Sequence, residues 1–219
     1  MTMTDEEAKA TQEVAKTTSN AIDLAREAGG YIAKFISGSL EQGMGIVEDR
    51  LRYMRWERKI RLVTKANLVL REQGLQQPTR VVPLNIIVPL LEEGSMEEND
   101  WMQDRWATLL ANAANADSGV DVSRSLIDIL SQLGPTDTEL LQRIYSVAPK
   151  DDVTGKIHLE WLPHLTESQL LAVENLARLG LTQPTHTLGG GVSHATVRQT
   201  LLGHALVKAC NPNTQQVGD

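Results

Sequence analysis

One cysteine in 219 residues, Cys210, excludes an intrachain disulfide. A lone thiol suits a reducing compartment, and here it reads as a small buried apolar residue near the end of a helix. No apolar run approaches the roughly 18 residues that a spanning helix needs. Met1–Asn20 is polar, Thr-rich and carries Asp5, Glu6 and Glu7, so it lacks the basic start and apolar stretch of a secretory signal. The expectation is a cytoplasmic protein, with peripheral contact at the inner membrane left open. Positive charge is short as well. The net charge of -7 argues against a general nucleic-acid binder. That average hides an asymmetry: residues 1–75 hold 12 Lys/Arg against 11 Asp/Glu, and residues 76–219 hold 9 against 17. A basic first part and an acidic second part can meet within one chain or between subunits.

Catalytic motifs are missing too. Five histidines, His158, His164, His186, His194 and His204, come without Cys pairs or HExxH-like spacing. Gly189-Gly190-Gly191 lacks the Lys and Ser/Thr of a phosphate-binding loop and fits the tip of a hairpin. No Ser, Cys or carboxylate pair stands in a nucleophile or acid/base arrangement. The expectation is a non-enzymatic protein with no cofactor, no metal and no small-molecule substrate.

What the chain does have is helical periodicity. Residues 1–20 read as a flexible leader, and from Ala21 apolar residues fall at helical spacing. Gly29, Gly30, Ser37, Gly38, Ser39, Gly43 and Gly45 then predict breaks or close helix contacts, since each interior glycine costs a helix about 1 kcal/mol. A long helix is expected from Glu41 to Gln73. Ile46, Tyr53, Ile60 and Asn67 recur every seven residues, as do Asp49, Trp56, Val63 and Leu70. This gives a packing seam with Asn67 at a register-fixing position. A second stripe, Val47, Leu51, Met54, Leu62 and Val69, suits a helix sandwiched between neighbours. Gly74 stands where a C-terminal cap belongs.

Further along, Val81–Leu91 predicts a short buried helix from Pro83, with a strand as the alternative. Ser95 with Glu98 predicts a capping box for a helix to about Ala116 that carries Trp101 and Trp106. A short helix through Leu126–Leu133 stops at Gly134-Pro135. Thr136 with Glu139 opens a helix to Val147, and Lys156–Leu159 reads as a short strand. Thr166 with Gln169 opens a helix to Leu179 that ends at Gly180. Leu181–Leu188 and Val192–Thr200 read as β-like runs, and Leu201–Cys210 as a closing helix. Helix, strand, helix, hairpin and helix is the order of a winged-helix domain. The expected fold is mainly α: an N-terminal helical bundle with a long central helix (21–120), then a small winged-helix-like α+β domain (121–210) and a flexible tail (211–219).

Asp49–Trp56 continuing to Lys65-Ala66, Val82–Glu92 followed by Met96-Glu97-Glu98, and Arg105–Ala113 form three stretches in a fixed order. Together they resemble the Abi-alpha family, the abortive-infection alpha proteins of bacterial phage defence. The closing Leu202–Cys210 is similar to that family's C-terminal end, and the resemblance spans roughly residues 25–210. It implies a role in defence that sacrifices or arrests an infected cell. It carries no catalytic residues to transfer.

Three groups of residues are candidates for contact. Arg50, Arg52, Arg55, Arg58, Lys59 and Arg61, with Lys65, oppose only Glu57, and Tyr53 and Trp56 lie among them. Such a cluster can meet phosphates, anionic lipid headgroups or a protein partner. On helical angles it spreads around the circumference, which favours a solvated, partly paired face. Tyr31, Ile32, Phe35 and Ile36 could lie at a membrane surface or pack in self-association. Tyr53, Trp56, Ile60, Val63 and Trp106 are assigned to helix packing. The expected recognition helix, from Thr166 to Leu179, has Glu167 and Glu174 against Arg178 alone, which suits protein contact better than a major groove. The leading expectation is therefore a defence protein acting through self-association, a protein partner or a membrane. The alternative is a nucleic-acid-binding regulator using residues 50–65.

Overall fold

A computed structural model describes residues 56–146, 156–158, 165–186 and 192–211. The expected leader, the stretch holding Tyr31, Ile32, Phe35 and Ile36, the early turns of the long helix with Arg50, Arg52, Tyr53 and Arg55, and Gly189–Gly191 lie outside the described residues.

The described part of the long helix is α1, Trp56–Glu72. It contains no Gly or Pro, and Lys59, Leu62, Val63, Ala66 and Leu70 are buried at steps of three and four. Among the described residues, Val63 and Leu70 of the first stripe and Leu62 of the second share one buried side, with Val69 packed at its edge. Asn67 donates its side-chain N–H to the Val63 carbonyl one turn back (3.0 Å), so its own helix satisfies it. Gly74, at φ +82°, closes α1. Its N–H donates to Arg71 and that of Leu75 to Leu70, the paired bonds of a left-handed cap.

Pro83 precedes α2, Leu84–Met96, which is longer than the expected short helix and continues through Pro89. Proline there removes one helical hydrogen bond, and burial of Ile86, Ile87, Val88, Leu90 and Leu91 offsets that loss. Gly94 lets α2 cross close to its neighbours: a Cβ there would lie 2.8 Å from Leu62 Cδ2 and 3.1 Å from Trp106 Cβ. This contact keeps Ser95 inside α2, where its hydroxyl donates to Glu92 O. The expected Ser95–Glu98 cap is therefore absent. Asn99 caps α3, Asp100–Ala114, by accepting from the Met102 N–H. Helix α3 is buried around most of its circumference and packs against α1 and α2.

Next come α4, Arg124–Leu130, and α5, Pro135–Ser146. At the start of α5 it is the Asp137 carboxylate that accepts the Gly134 N–H (2.8 Å), one residue on from the expected Thr136 cap. The strands β1 (Lys156–His158), β2 (Thr182–His186) and β3 (Val192–Gln199) form an antiparallel sheet in the order β1-β3-β2. Between β1 and β2 in the chain lies α6, Glu167–Arg178, opened by the expected Thr166–Gln169 capping box and closed at Gly180. Pro184 sits on the edge strand β2, where a missing N–H is tolerated, and the register shifts after it. Val197, on central β3, is fully buried.

Thr200 caps α7, Leu201–Cys210, which packs back onto α3. Buried Asn112 donates to the Ala209 carbonyl (2.9 Å) and accepts from Gln73 (3.1 Å). One contiguous core therefore runs from α1 to α7. A second tie is Tyr145, whose hydroxyl donates to Leu181 O and accepts the Thr200 N–H.

Candidate functional site

Three basic residues of α1, Arg58, Arg61 and Lys65, face the start of α3. Arg58 contacts Glu98 at 2.7 Å, Arg61 contacts Asp100 at 2.8 Å, and Lys65 contacts Asp104 at 2.6 Å. Arg58 also donates to the Met96 carbonyl at the end of α2, and Lys65 to that of Asp100. Steps of three and four along α1 place these cations in a row, and an acidic first turn suits the positive end of α3. The asymmetry of charge read from the composition closes here within one chain. Each of these pairs is partly exposed and worth roughly 0.2–1 kcal/mol, so the row orients two helices more than it stabilises them.

Lys59 departs from the row. It is fully buried, and burial pushes its ammonium down to about 8. Beneath the same turn lies Gln103, also fully buried, whose amide N–H reaches the Arg58 carbonyl at 3.5 Å. Gln103 Oε1 has no hydrogen-bond partner among the described residues. A run of basic letters gives no hint that one of them points inward, and Gln103 carries no sequence signal at all.

Of the expected packing residues, Val63 and Trp106 are buried and Ile60 is half-buried. Trp106 lies where α2 crosses α3 at Gly94. Trp56 opens α1, and Tyr53 lies outside the described residues. Arg105, from the same motif as Trp106, lies 3.9 Å over the Trp101 ring and donates to Gln142, bridging α3 to α5. Burial lowers its pKa, and Asp104 opposes that shift. Cys210 is buried and its thiol is pushed up to about 12, which makes it unreactive.

An open cleft of about 260 Å³ is lined by Glu93, Met96, Glu97, Glu98, Trp106, Leu130 and Ser131. Among the described residues no group of His, Cys, Asp and Glu could hold a metal, and no helix is long and apolar enough to cross a membrane. The outer side of α6 exposes Leu170 (47 %) and Leu171 (63 %) between Glu167 and Glu174. The two carboxylates on that side oppose the approach of a phosphate.

Three of the motifs that carried the resemblance are now helices of one core: Leu84–Glu92 of the second in α2, Arg105–Ala113 in α3 and Leu202–Cys210 in α7. A family model described as abortive infection alpha matches residues 55–210. The chain belongs to that family. No curated protein and no solved structure matches it. The abortive infection alpha match begins one residue before α1, so it leaves out Tyr31–Ile36 and Arg50–Arg52 and is shorter at the N-terminal side than the span the motifs suggested. What the abortive infection alpha model covers is the packed helices and the small sheet.

Proposed function

We propose that the protein acts in abortive infection defence without catalysis, through self-association or a protein partner. Membership of the abortive infection alpha family is the observation that carries this reading. Contact rather than chemistry is supported by the use of its charged groups: Arg58, Arg61 and Lys65 are each engaged by carboxylates of α3 or the loop before it. The same pairing counts against a nucleic-acid regulator built on α1, because phosphate would have to displace those carboxylates. Order of elements and sheet order from α5 to β3 support a winged-helix-like module. Its helix α6, with leucines and glutamates outermost, supports protein contact there. Action inside the cytoplasm is part of the proposal, and peripheral contact with the inner membrane through residues 31–36 is the reading it competes with.

The test is phage challenge of cells expressing the full chain. Protection of the culture at low phage input, with death or arrest of infected cells at high input, is the expected result. Protection in which infected cells survive and divide would overturn abortive infection. Purified protein that shifts DNA or RNA with a steep salt dependence would move the reading to the nucleic-acid alternative, and leakage of anionic liposomes would move it to the membrane.

A further inference from the structure

Charged side chains taken out of water are normally met by an opposite charge. Arg105 is an exception. It is half-buried, and desolvation lowers its pKa by more than the nearby Asp104 raises it. The Asp104 carboxylate is exposed and already bonded to Lys65 at 2.6 Å. Cys210, its other neighbour, is a neutral thiol, because burial pushes it up to about 12. Among the described residues no carboxylate forms a salt bridge with Arg105, whereas Arg58, Arg61 and Lys65 on the facing helix each have one.

The guanidinium is nonetheless held in one place. It lies 3.9 Å over the Trp101 ring, one turn back on α3, and its Nη2 donates to the Gln142 side-chain carbonyl on α5 at 3.1 Å. The Gln142 amide in turn donates to the Asn211 side chain at the end of α7 at 3.4 Å. Stacking on a ring and a fixed acceptor lock the planar fork of donors. Nε is enclosed and has no acceptor. Nη1 has none either among the described residues, and it is not enclosed. The donor end of a fixed, uncompensated cation therefore opens at the surface where α3, α5 and α7 meet. Such a fork matches an anion that presents two oxygens side by side.

We propose that Arg105 is the centre of an oxyanion site, taking a phosphate or carboxylate group at its Nη atoms, with Trp101 and Gln142 as positioning residues. The ring face of Trp101 beside the site is taken by Arg105, so the ligand is recognised through its oxygens and not by stacking. The bound anion supplies the charge that the fold leaves out. Because Gln142 carries the chain of bonds on to Asn211, occupancy strengthens the junction of α3, α5 and α7, and a ligand held only by the folded state raises stability. The site goes beyond the defence reading and does not depend on it.

The experiment titrates the purified full-length chain with sodium phosphate, sodium acetate, and sodium chloride at matched ionic strength. Nitrogen-15 NMR follows the Arg105 Nε–H signal, assigned by its absence from Arg105→Lys, and thermal melting is recorded on the same samples. Phosphate, acetate or both are expected to move the signal along a saturating curve and to raise the melting temperature along the same curve, while chloride does neither. Saturation by phosphate alone assigns a phosphate group as ligand, and saturation by acetate as well extends the site to carboxylates. Arg105→Lys keeps the charge and loses the fork, and it should bind about tenfold more weakly or worse. Arg105→Gln should lose the stabilisation by the anion altogether, and circular dichroism checks that both variants are folded. If either variant fails to fold, the wild-type titration against chloride decides. A signal that moves equally with chloride, an absence of saturation below about 50 mM of either anion, or a stabilisation that survives unchanged in Arg105→Gln overturns the site.

Discussion

Replacing Lys59 by Met should change how stability depends on pH, because the burial of this lysine opposes its charge. Its ammonium is held at about 8 in the fold against an ordinary 10.5. Below about pH 8 both folded and unfolded chains carry the proton, and the fold bears the net cost of holding that charge in a buried position. As pH rises from 8 to 10.5 the folded lysine gives up its proton first, the unfolded state binds more protons, and stability rises. A separation of about 2.5 at about 1.4 kcal/mol per unit amounts to about 3 kcal/mol across that window. Wild type alone does not display the rise cleanly. Cys210, pushed up to about 12 from 9.0, contributes in the opposite direction from pH 9 upward, and Tyr145, raised by burial, does so above 10. The informative quantity is the difference between wild type and Lys59→Met, since Cys210 and Tyr145 are common to both. Urea unfolding followed by circular dichroism between pH 7 and 10.5 measures it. The stability of wild type relative to the variant should grow by about 3 kcal/mol between pH 8 and 10.5 and stay level below pH 8. A difference that stays flat over the whole range would refute the argument.

Other substitutions test the core and its ties. Asn112→Ala leaves the Ala209 carbonyl and the Gln73 amide without their buried partner and should cost about 1–3 kcal/mol in urea unfolding, lowering the melting temperature of α1 and α7 together. Gly203→Ala drives a Cβ against the Tyr145 hydroxyl and the Leu181 carbonyl, and since the carbonyl is backbone the cost should reach about 3 kcal/mol or more. Thr166→Ala removes the capping box of α6 for about 1 kcal/mol, seen as a lower urea midpoint with the rest of the spectrum unchanged. Lys65→Ala should cost under about 1 kcal/mol, and the loss should shrink in 1 M salt as screening weakens the wild-type pair.

How much of this fold was legible depended on how local each signal is. Gly74, Gly180, Thr166 with Gln169, and the start of α7 are legible, because a cap is satisfied within about four residues of chain. Ser95 misled because the feature that keeps it helical is Gly94 against Leu62 and Trp106, a contact between three helices. The length of α2 misled for a related reason: Pro89 normally argues for a break, and only the burial of its neighbours holds the helix through it. In the candidate site, sign and composition were visible but partners were not. Arg61 finds Asp100 across 39 positions, and the spacing within either helix cannot announce that. In the sequence Lys59 looks like its basic neighbours, yet it is fully buried where Arg58, Arg61 and Lys65 are partly exposed. The exposure of Leu170 and Leu171 is not legible in the sequence, because adjacent leucines in a helix look like core until the burial of Ala172, Val173 and Leu176 fixes which side faces inward.

The hydrogen bond from Asn112 to Ala209 joins residues 97 positions apart. On a ribosome adding about 5–20 residues per second, α3 emerges roughly 5–20 s before the helix that covers it. During that interval the side of α3 meant for α7 has no permanent cover, and a partner able to occupy it can hold the chain short of its final shape. Helix α7, the last among the described residues, is therefore a latch that closes late over α3.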